Sequence, residues 1–206
     1  MNAGLTLAYE QKYFAGGMRA IAGVDEVGRG SLAGPVVAAV VVVEPVTERV
    51  IGVKDSKLLS ARQRERLAEG LRLKVKQWSI GVVSPRGIDK IGIFQATLLA
   101  MYRALIKIET VDGVIVDGLH LPKIPRKIKA SAWTMVRGDQ RVYAIAAASI
   151  IAKVYRDQLM LKLHAKYPTY GWNSNMGYGT KQHIDEIRRI GTSHYHRISF
   201  IDHLIN

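Results

Sequence analysis

Four carboxylates in this chain stand where carboxylates are costly. Asp25, Glu26, Asp117 and Asp139 each lie at or beside the end of an apolar run and near glycine, whereas most of the remaining acids among the 17 Asp and Glu fall on polar helix faces or in loops. An isolated ionised carboxylate is expensive to bury, so several converging at strand ends imply a shared cation or neutralising basic partners. Hard oxygen donors in a chain without cysteine select Mg2+ or Mn2+ over zinc. Two such ions about 4 Å apart suit phosphodiester hydrolysis, one beside the attacking water and one beside the leaving oxygen. Strand-end caps at Asp25 and Asp117 and a helix N-cap at Asp139 explain the same positions without any metal. Adjacent residues on a regular strand point to opposite faces, so Asp25 and Glu26 can share a metal pair only where the strand ends or bulges.

The stretch after these acids, GRGSLAG, resembles half of a dinucleotide-binding turn, but its third glycine is misplaced. The acidic pair would also repel a pyrophosphate, and a β-branched run follows where a helix N-terminus is needed. Its glycines instead allow close backbone approach to a sugar or phosphate, with Arg29 as a positioning contact. The charge balance points the same way. Against those 17 acids stand 30 Lys and Arg, a net charge of +13, and such an excess suits a polyanionic partner whose counterions are released on binding.

The elements that must hold these residues follow from the pattern of apolar residues. IAGVD reads as a short strand and VVAAVVVV as a second, joined antiparallel through the glycine-rich connection. Ser60 and Gln63 have capping-box spacing, and Leu67, Leu71 and Val75 then mark a helix to about Gln77. A strand over 78–83, a helix over 88–108, a strand GVIVD ending at Asp117 and a strand AWTMV follow. LPKIPRKIKA, between the last two, is a basic loop. A long helix runs from Ala144 to Lys166, an ordered loop PTYGWNSNMGYGT follows, and Thr180 caps a short helix ended by Gly191. The arrangement is an α/β fold, a mixed central sheet flanked by helices with a C-terminal helical extension over about 167–206, and a single domain over 1–206 is expected.

Composition narrows the class further. At 48% apolar and 23% charged residues, the chain falls among ordinary globular proteins, neither fibrous nor disordered. The absence of cysteine excludes disulfides, thiolate zinc sites and a cysteine nucleophile, and fits a cytoplasmic location. MNAGLTLAYEQKYF lacks a basic region followed by an apolar one. The longest uncharged run, Gly30 to Val43, is shorter than the about 20 residues of a membrane helix, so no membrane partner is expected.

The run AGVDEVGRGSLAGPVVAAVVV, the segment DSKLLS, VDG, RGDQ followed by AAASIIAKVYRD, and GYGTKQH with HYHRISF together resemble ribonuclease HII of the bacterial type. They occur in the family's order from about Ile21 to Phe200. The resemblance implies an RNase H-like fold and metal-dependent hydrolysis of RNA in RNA–DNA hybrids and of ribonucleotides embedded in duplex DNA, a step of ribonucleotide excision repair. It implies two Mg2+ or Mn2+ ions on Asp25, Glu26, Asp117 and Asp139, and incision 5′ to the ribonucleotide leaving 3′-hydroxyl and 5′-phosphate ends. By the same resemblance the backbone of Gly28, Arg29 and Gly30 reads the ribose 2′-hydroxyl, Tyr178 packs against the sugar, and Lys57, Lys153 and Arg156 contact phosphate. A monomer is expected.

The sequence departs from the family at Gln140, where a small hydroxyl residue is more usual. Asp157 competes for the fourth ligand position, although its place on the long helix favours a structural acid paired with Arg156 or another base. The short stretch before the first strand and the GRG motif favour type II over the type III branch. A junction resolvase on the same fold would cut without a 2′-hydroxyl, and a non-catalytic nucleic-acid-binding module would explain the charge but not the four acids. Lys123, Arg126, Lys127 and Lys129 form one basic surface, and Lys181, Arg188, Arg189 and Arg197 a second. Tyr167 and Tyr170 are candidates for stacking, Trp172 for packing in the core, and His194 and His196 for phosphate contact or a surface role.

Overall fold

The centre of the sheet is set by a strand that has no polar face. β2 (Val36–Val43) is buried at every one of its eight positions, as a strand covered by helices on both sides must be. In the computed structural model, which describes residues 4–109 and 111–205, it pairs antiparallel with β1 (Ile21–Val27) and with β3 (Gln77–Val83). β1 then pairs parallel with β4 (Gly113–Asp117), and β4 parallel with β5 (Ser131–Met135). The five strands lie in the order β3-β2-β1-β4-β5. Consequently β1, β4 and β5 run in one direction and present their carboxyl ends at the same edge.

Strand alternation divides the core in two. Ile21, Val37, Ala39, Val41 and Ile115 face α4 (Tyr143–Lys166), while Ala22, Val24, Ala38, Val40, Val114 and Val116 face α3 (Pro85–Leu105). Each helix comes closest over a glycine. A Cβ on Gly23 would sit 2.3 Å from the carbonyl carbon of Ala144, and one on Gly81 1.9 Å from the carbonyl oxygen of Ala100. Even alanine at either site must push a helix off the sheet.

The antiparallel start, the capping box of α2 (Ala61–Lys74) and the capped, glycine-terminated α6 (Lys181–Ile190) follow the expected pattern. Boundaries shift elsewhere. α2 ends at Lys74 because Val75 is extended and Gln77 already belongs to β3. α3 begins three residues earlier than periodicity indicates, with Ser84 capping it and Pro85 in the first turn, and Gly92 interrupts it at φ 77°. The aromatic loop contains a 3-10 turn (Pro168–Tyr170) and the short α5 (Trp172–Asn175), with α7 (Ile198–Ile205) closing the fold. The ends of the expected 1–206 domain lie outside the described residues.

Three side chains in this C-terminal region depart from a surface role. Trp172 is fully buried, in line with core packing, but Tyr170 and His196 are buried too and Arg197 is completely so, contrary to the roles expected of those three. Trp172 Nε1 donates to His183 Nε2 at 3.0 Å, and His183 Nδ1 donates to the Tyr178 carbonyl at 2.9 Å. His196 Nδ1 accepts from the Ser193 amide at 2.9 Å. Burial and the neighbouring His183 push the His196 pKa down to about 4, so the ring serves here as a neutral packing and hydrogen-bonding group.

One helix lacked any signal in the apolar pattern. α1 (Ala8–Ala15) carries Glu10, which is fully buried and accepts from the Ala144 amide at 2.8 Å. The residue preceding α4, Val142, has no capping side chain, so a carboxyl from far along the chain takes over that duty. Burial raises the Glu10 pKa, with the backbone donors opposing the shift. Replacing Glu10 by alanine should lower stability by about 1–2 kcal/mol in urea unfolding, the usual cost of losing a cap that leaves a buried amide unpaired. Glu10→Gln, which keeps an acceptor, should lose less.

Candidate active site

The shared edge of β1, β4 and β5 is where the four acids collect. Asp25 and Glu26 stand near the end of β1, Asp117 is the last residue of β4, and Asp139 follows β5 in a 3-10 turn over Gly138–Gln140. The parallel ladder between β1 and β4 stops at Val24 opposite Val116, while β1 continues in unbroken register with β2 to Val27. It is therefore the end of the pairing with β4, and neither a bulge nor the end of β1 itself, that leaves Asp25 and Glu26 on the same cavity. All four line one cavity of about 240 Å3, together with Ser56, Lys57, Ser149, Lys153 and Tyr178. Asp117 Oδ1 accepts from the Gly138 amide at 2.7 Å and so ties the turn bearing Asp139 to β4. Asp139 lies inside its turn and caps no helix, since α4 begins after Val142.

Burial, with repulsion between the carboxylates added to it, governs the electrostatics of this cavity. Burial, then Glu26 and Asp117, raise the Asp25 pKa well above the ordinary carboxylate value, against the Ser149 hydroxyl and the Glu26 amide. Burial also raises Glu26, with Arg29 opposing and Asp117 adding to the shift. Asp139 is raised by burial, Asp55 and Asp117, with Lys57 opposing. Among the described residues no group of three or more acids or imidazoles stands close enough together to hold a metal ion as placed. The oxygen-only donor set lining this one cavity fits a divalent metal.

The predicted binding residues separate into two groups. Lys57 is exposed with its Nζ 3.8 Å from Asp139, and Lys153 donates to Asp157 at 2.8 Å; both line the cavity. Tyr178 stands at its wall with the Lys153 Nζ 6.0 Å from the ring centroid. Gly28, at φ 88°, turns the chain at the rim, where Arg29 and Gly30 are exposed, and Arg29 pairs with Glu26 at 3.5 Å. Arg29, Glu26 and Asp117 also line an adjoining groove of about 130 Å3 with Phe94 and His120. Arg156 is a correction to the expected phosphate contact. It is fully buried, and its guanidinium is committed to the carbonyls of Pro35, Met176 and Ala33 and to the Ser31 hydroxyl.

Asp157 does not line the cavity; it pairs with Lys153 and Arg64, not with Arg156. Gln140, at the position where the sequence departs from the family, donates to Asp55 at 3.3 Å. Asp55, Ser56 and Ser149 were not singled out in the sequence. Asp55 and Ser56 stood in the DSKLLS segment and Ser149 in AAASIIAKVYRD, but no role was assigned to them; the fold brings the two hydroxyls within 3.0 Å of one another beside Asp25. The loop cations Lys123, Arg126, Lys127 and Lys129 are exposed. On α6, Lys181 pairs with Asp185, and Arg189 with Glu186, which blunts the second basic surface.

A mixed sheet whose parallel strands deliver acids to one cavity, beside a basic and hydroxyl-rich wall, defines a metal-dependent nuclease with an RNase H-like architecture. The family model for ribonuclease HII matches residues 22–203. A ribonuclease HII from Synechococcus sp. (strain JA-3-3Ab) is 46% identical over 199 residues, covering 95% of this chain and 87% of the relative. The chain belongs to the ribonuclease HII family, and is an endoribonuclease acting on RNA–DNA hybrids and embedded ribonucleotides. Among solved structures, the ribonuclease H2 of Pyrococcus horikoshii OT3 aligns with TM-score 0.73 and 28% identity over 90% of this chain and 97% of that one. Bst-RNase HIII in complex with Mn2+ shares the fold at TM-score 0.70 and 20% identity, over 88% of this chain and 67% of that one.

Neutralising one acid should separate stability from activity. Asp117→Asn should melt at or above the temperature of the unsubstituted protein when both are metal-free, because it relieves repulsion. It should weaken Mn2+ binding by at least the about 10- to 100-fold that loss of an outer-shell partner costs, and lose the rise in melting temperature that Mn2+ confers. Thermal melts with and without Mn2+, with calorimetric titration, check both.

Proposed function

We propose that Asp25, Glu26, Asp117 and Asp139 hold two Mg2+ or Mn2+ ions, and that the protein incises duplex DNA 5′ to an embedded ribonucleotide, leaving 3′-hydroxyl and 5′-phosphate ends. The observation that carries this reading is the convergence of the four acids, from three strand ends, on one cavity walled by Tyr178 and two lysines. When bound, the metal supplies an activated water and neutralises charge at the departing oxygen. The carboxylates act as ligands and not as nucleophiles. The Ser149 hydroxyl favours the ionised form of Asp25, and the Gly138 amide holds Asp117 toward the cavity.

Lys57 is placed for a phosphate beside Asp139, and its exposed side chain is free to follow the backbone of a duplex. Lys153 is held by Asp157 and sets a fixed positive charge at the cavity wall. The Tyr178 ring packs against the sugar while the backbone of Gly28, Arg29 and Gly30 meets the 2′-hydroxyl, the group absent from DNA. Holding the scissile phosphate in register between these contacts and the carboxylates supplies the orientation that the reaction requires. One catalytic domain spanning 1–206 performs this as a monomer in the cytoplasm. Among the described residues no helix is long and apolar enough to cross a membrane.

A labelled duplex with one ribonucleotide should be cut on the 5′ side of that residue with Mg2+ or Mn2+ and remain intact with EDTA. The same duplex carrying the 2′-deoxy residue should survive. Cutting of both duplexes would instead favour a junction-type nuclease.

A further inference from the structure

Two arginines lie beneath the recognition loops without reaching the cavity. Arg156 and Arg197 are both fully buried. Arg197 donates through Nη2 to the Gly28 carbonyl at 2.6 Å, through Nη1 to that of Arg29 at 2.7 Å, and through Nε to that of Gly34 at 3.0 Å. Arg156 donates through Nε to Pro35 at 3.0 Å, and through Nη2 to Ala33 at 3.0 Å and the Ser31 hydroxyl at 2.9 Å. Its Nη1 crosses to the Met176 carbonyl at 2.9 Å, immediately before the GYG segment, and its guanidinium lies 5.5 Å from the Tyr178 ring centroid. The backbone joins the same two loops, with the amides of Leu32 and Ala33 both donating to Gly177.

These contacts decide which way the GRG backbone faces. A trans peptide directs its carbonyl and its N–H to opposite sides, and no peptide bond among the described residues is cis. With the Gly28 and Arg29 carbonyls turned inward to Arg197, the amides of Arg29 and Gly30 turn outward. Both residues are exposed, and neither amide has a protein acceptor among the described residues. Gly28 fits because it has no side chain: a Cβ there would lie 2.2 Å from Arg156 Nε. The arrangement is held against a cost. Burial and the nearby Arg156 push the Arg197 pKa down to about 9, and the partners of the pair are carbonyl dipoles and one hydroxyl.

We propose that Arg156 and Arg197 are positioning residues for ribose recognition, clamping the GRG and GYG loops together so that two free backbone amides and the Tyr178 ring form a preset site for a ribonucleotide. This rests on the assignment of those loops to the ribose under Proposed function. Lysine keeps the charge but cannot reproduce the rigid guanidinium fork, so Arg197→Lys and Arg156→Lys loosen the clamp without deleting a cation. If the competent loop geometry becomes a minor state, apparent affinity falls in proportion.

The test measures steady-state cleavage of a duplex with one ribonucleotide, with the 2′-deoxy duplex as competitor, for both variants. KM should rise about tenfold with kcat changed by less than about threefold. The inhibition constant of the deoxy competitor should stay constant, so that preference for ribose collapses, and Mn2+ affinity should match that of the unsubstituted protein. Folded variants with unchanged KM and ribose preference would overturn the proposal, as would a fall in kcat alone. If neither variant melts cooperatively, the pair belongs to global stability and the proposal fails. Absence of ribonucleotide cleavage by the unsubstituted protein would be a different result, removing the assignment of the site itself.

Discussion

The burial of mutually repelling carboxylates at the carboxyl ends of parallel strands is the constraint around which the molecule is arranged. A sheet edge is a poor place for four acids unless something of opposite charge belongs there. The fold accepts the conflict by anchoring the acids through neutral donors, Gly138 to Asp117 and Ser149 to Asp25, while the nearest lysine to Asp139 remains exposed and 3.8 Å away. Positive charge sits around the cavity and not within it, which leaves room for a cation and for a phosphate backbone.

The packing that surrounds this edge is correspondingly rigid. α4 presses on β1 over Gly23, α3 presses on β3 over Gly81, and the all-buried β2 lies between. α4 contributes twice more, since it carries Ser149 and Lys153 to the cavity and Arg156 to the loops. Its N-terminus in turn depends on Glu10 of α1. A helix that positions hydroxyl, ammonium and guanidinium at successive turns needs its own register fixed, and the distant cap meets that need.

Much of this was legible in the sequence because the signals were local. The β-branched runs, the Ser60–Gln63 capping box and the Thr180–Gly191 bounds of α6 each depend on a few neighbouring residues. The four acids were legible for a similar reason, since each lies at or beside the end of an apolar run near a glycine. What escaped was long-range. Glu10 looked like any acid on a short polar helix, and Ser149 like one small residue in an alanine-rich helix. The resemblance gave Arg156 a phosphate contact and charge placed Arg197 on a basic surface, since arginine is rarely buried whole. Only the fold shows that six carbonyls of two loops surround them.

The most direct measurement is anomalous diffraction from a crystal of the protein grown with Mn2+ and a ribonucleotide-containing duplex. The account predicts two manganese peaks among Asp25, Glu26, Asp117 and Asp139, with the scissile phosphate beside them and the ribose against Tyr178. Manganese bound elsewhere, or a single peak without contact to Asp139, would contradict it.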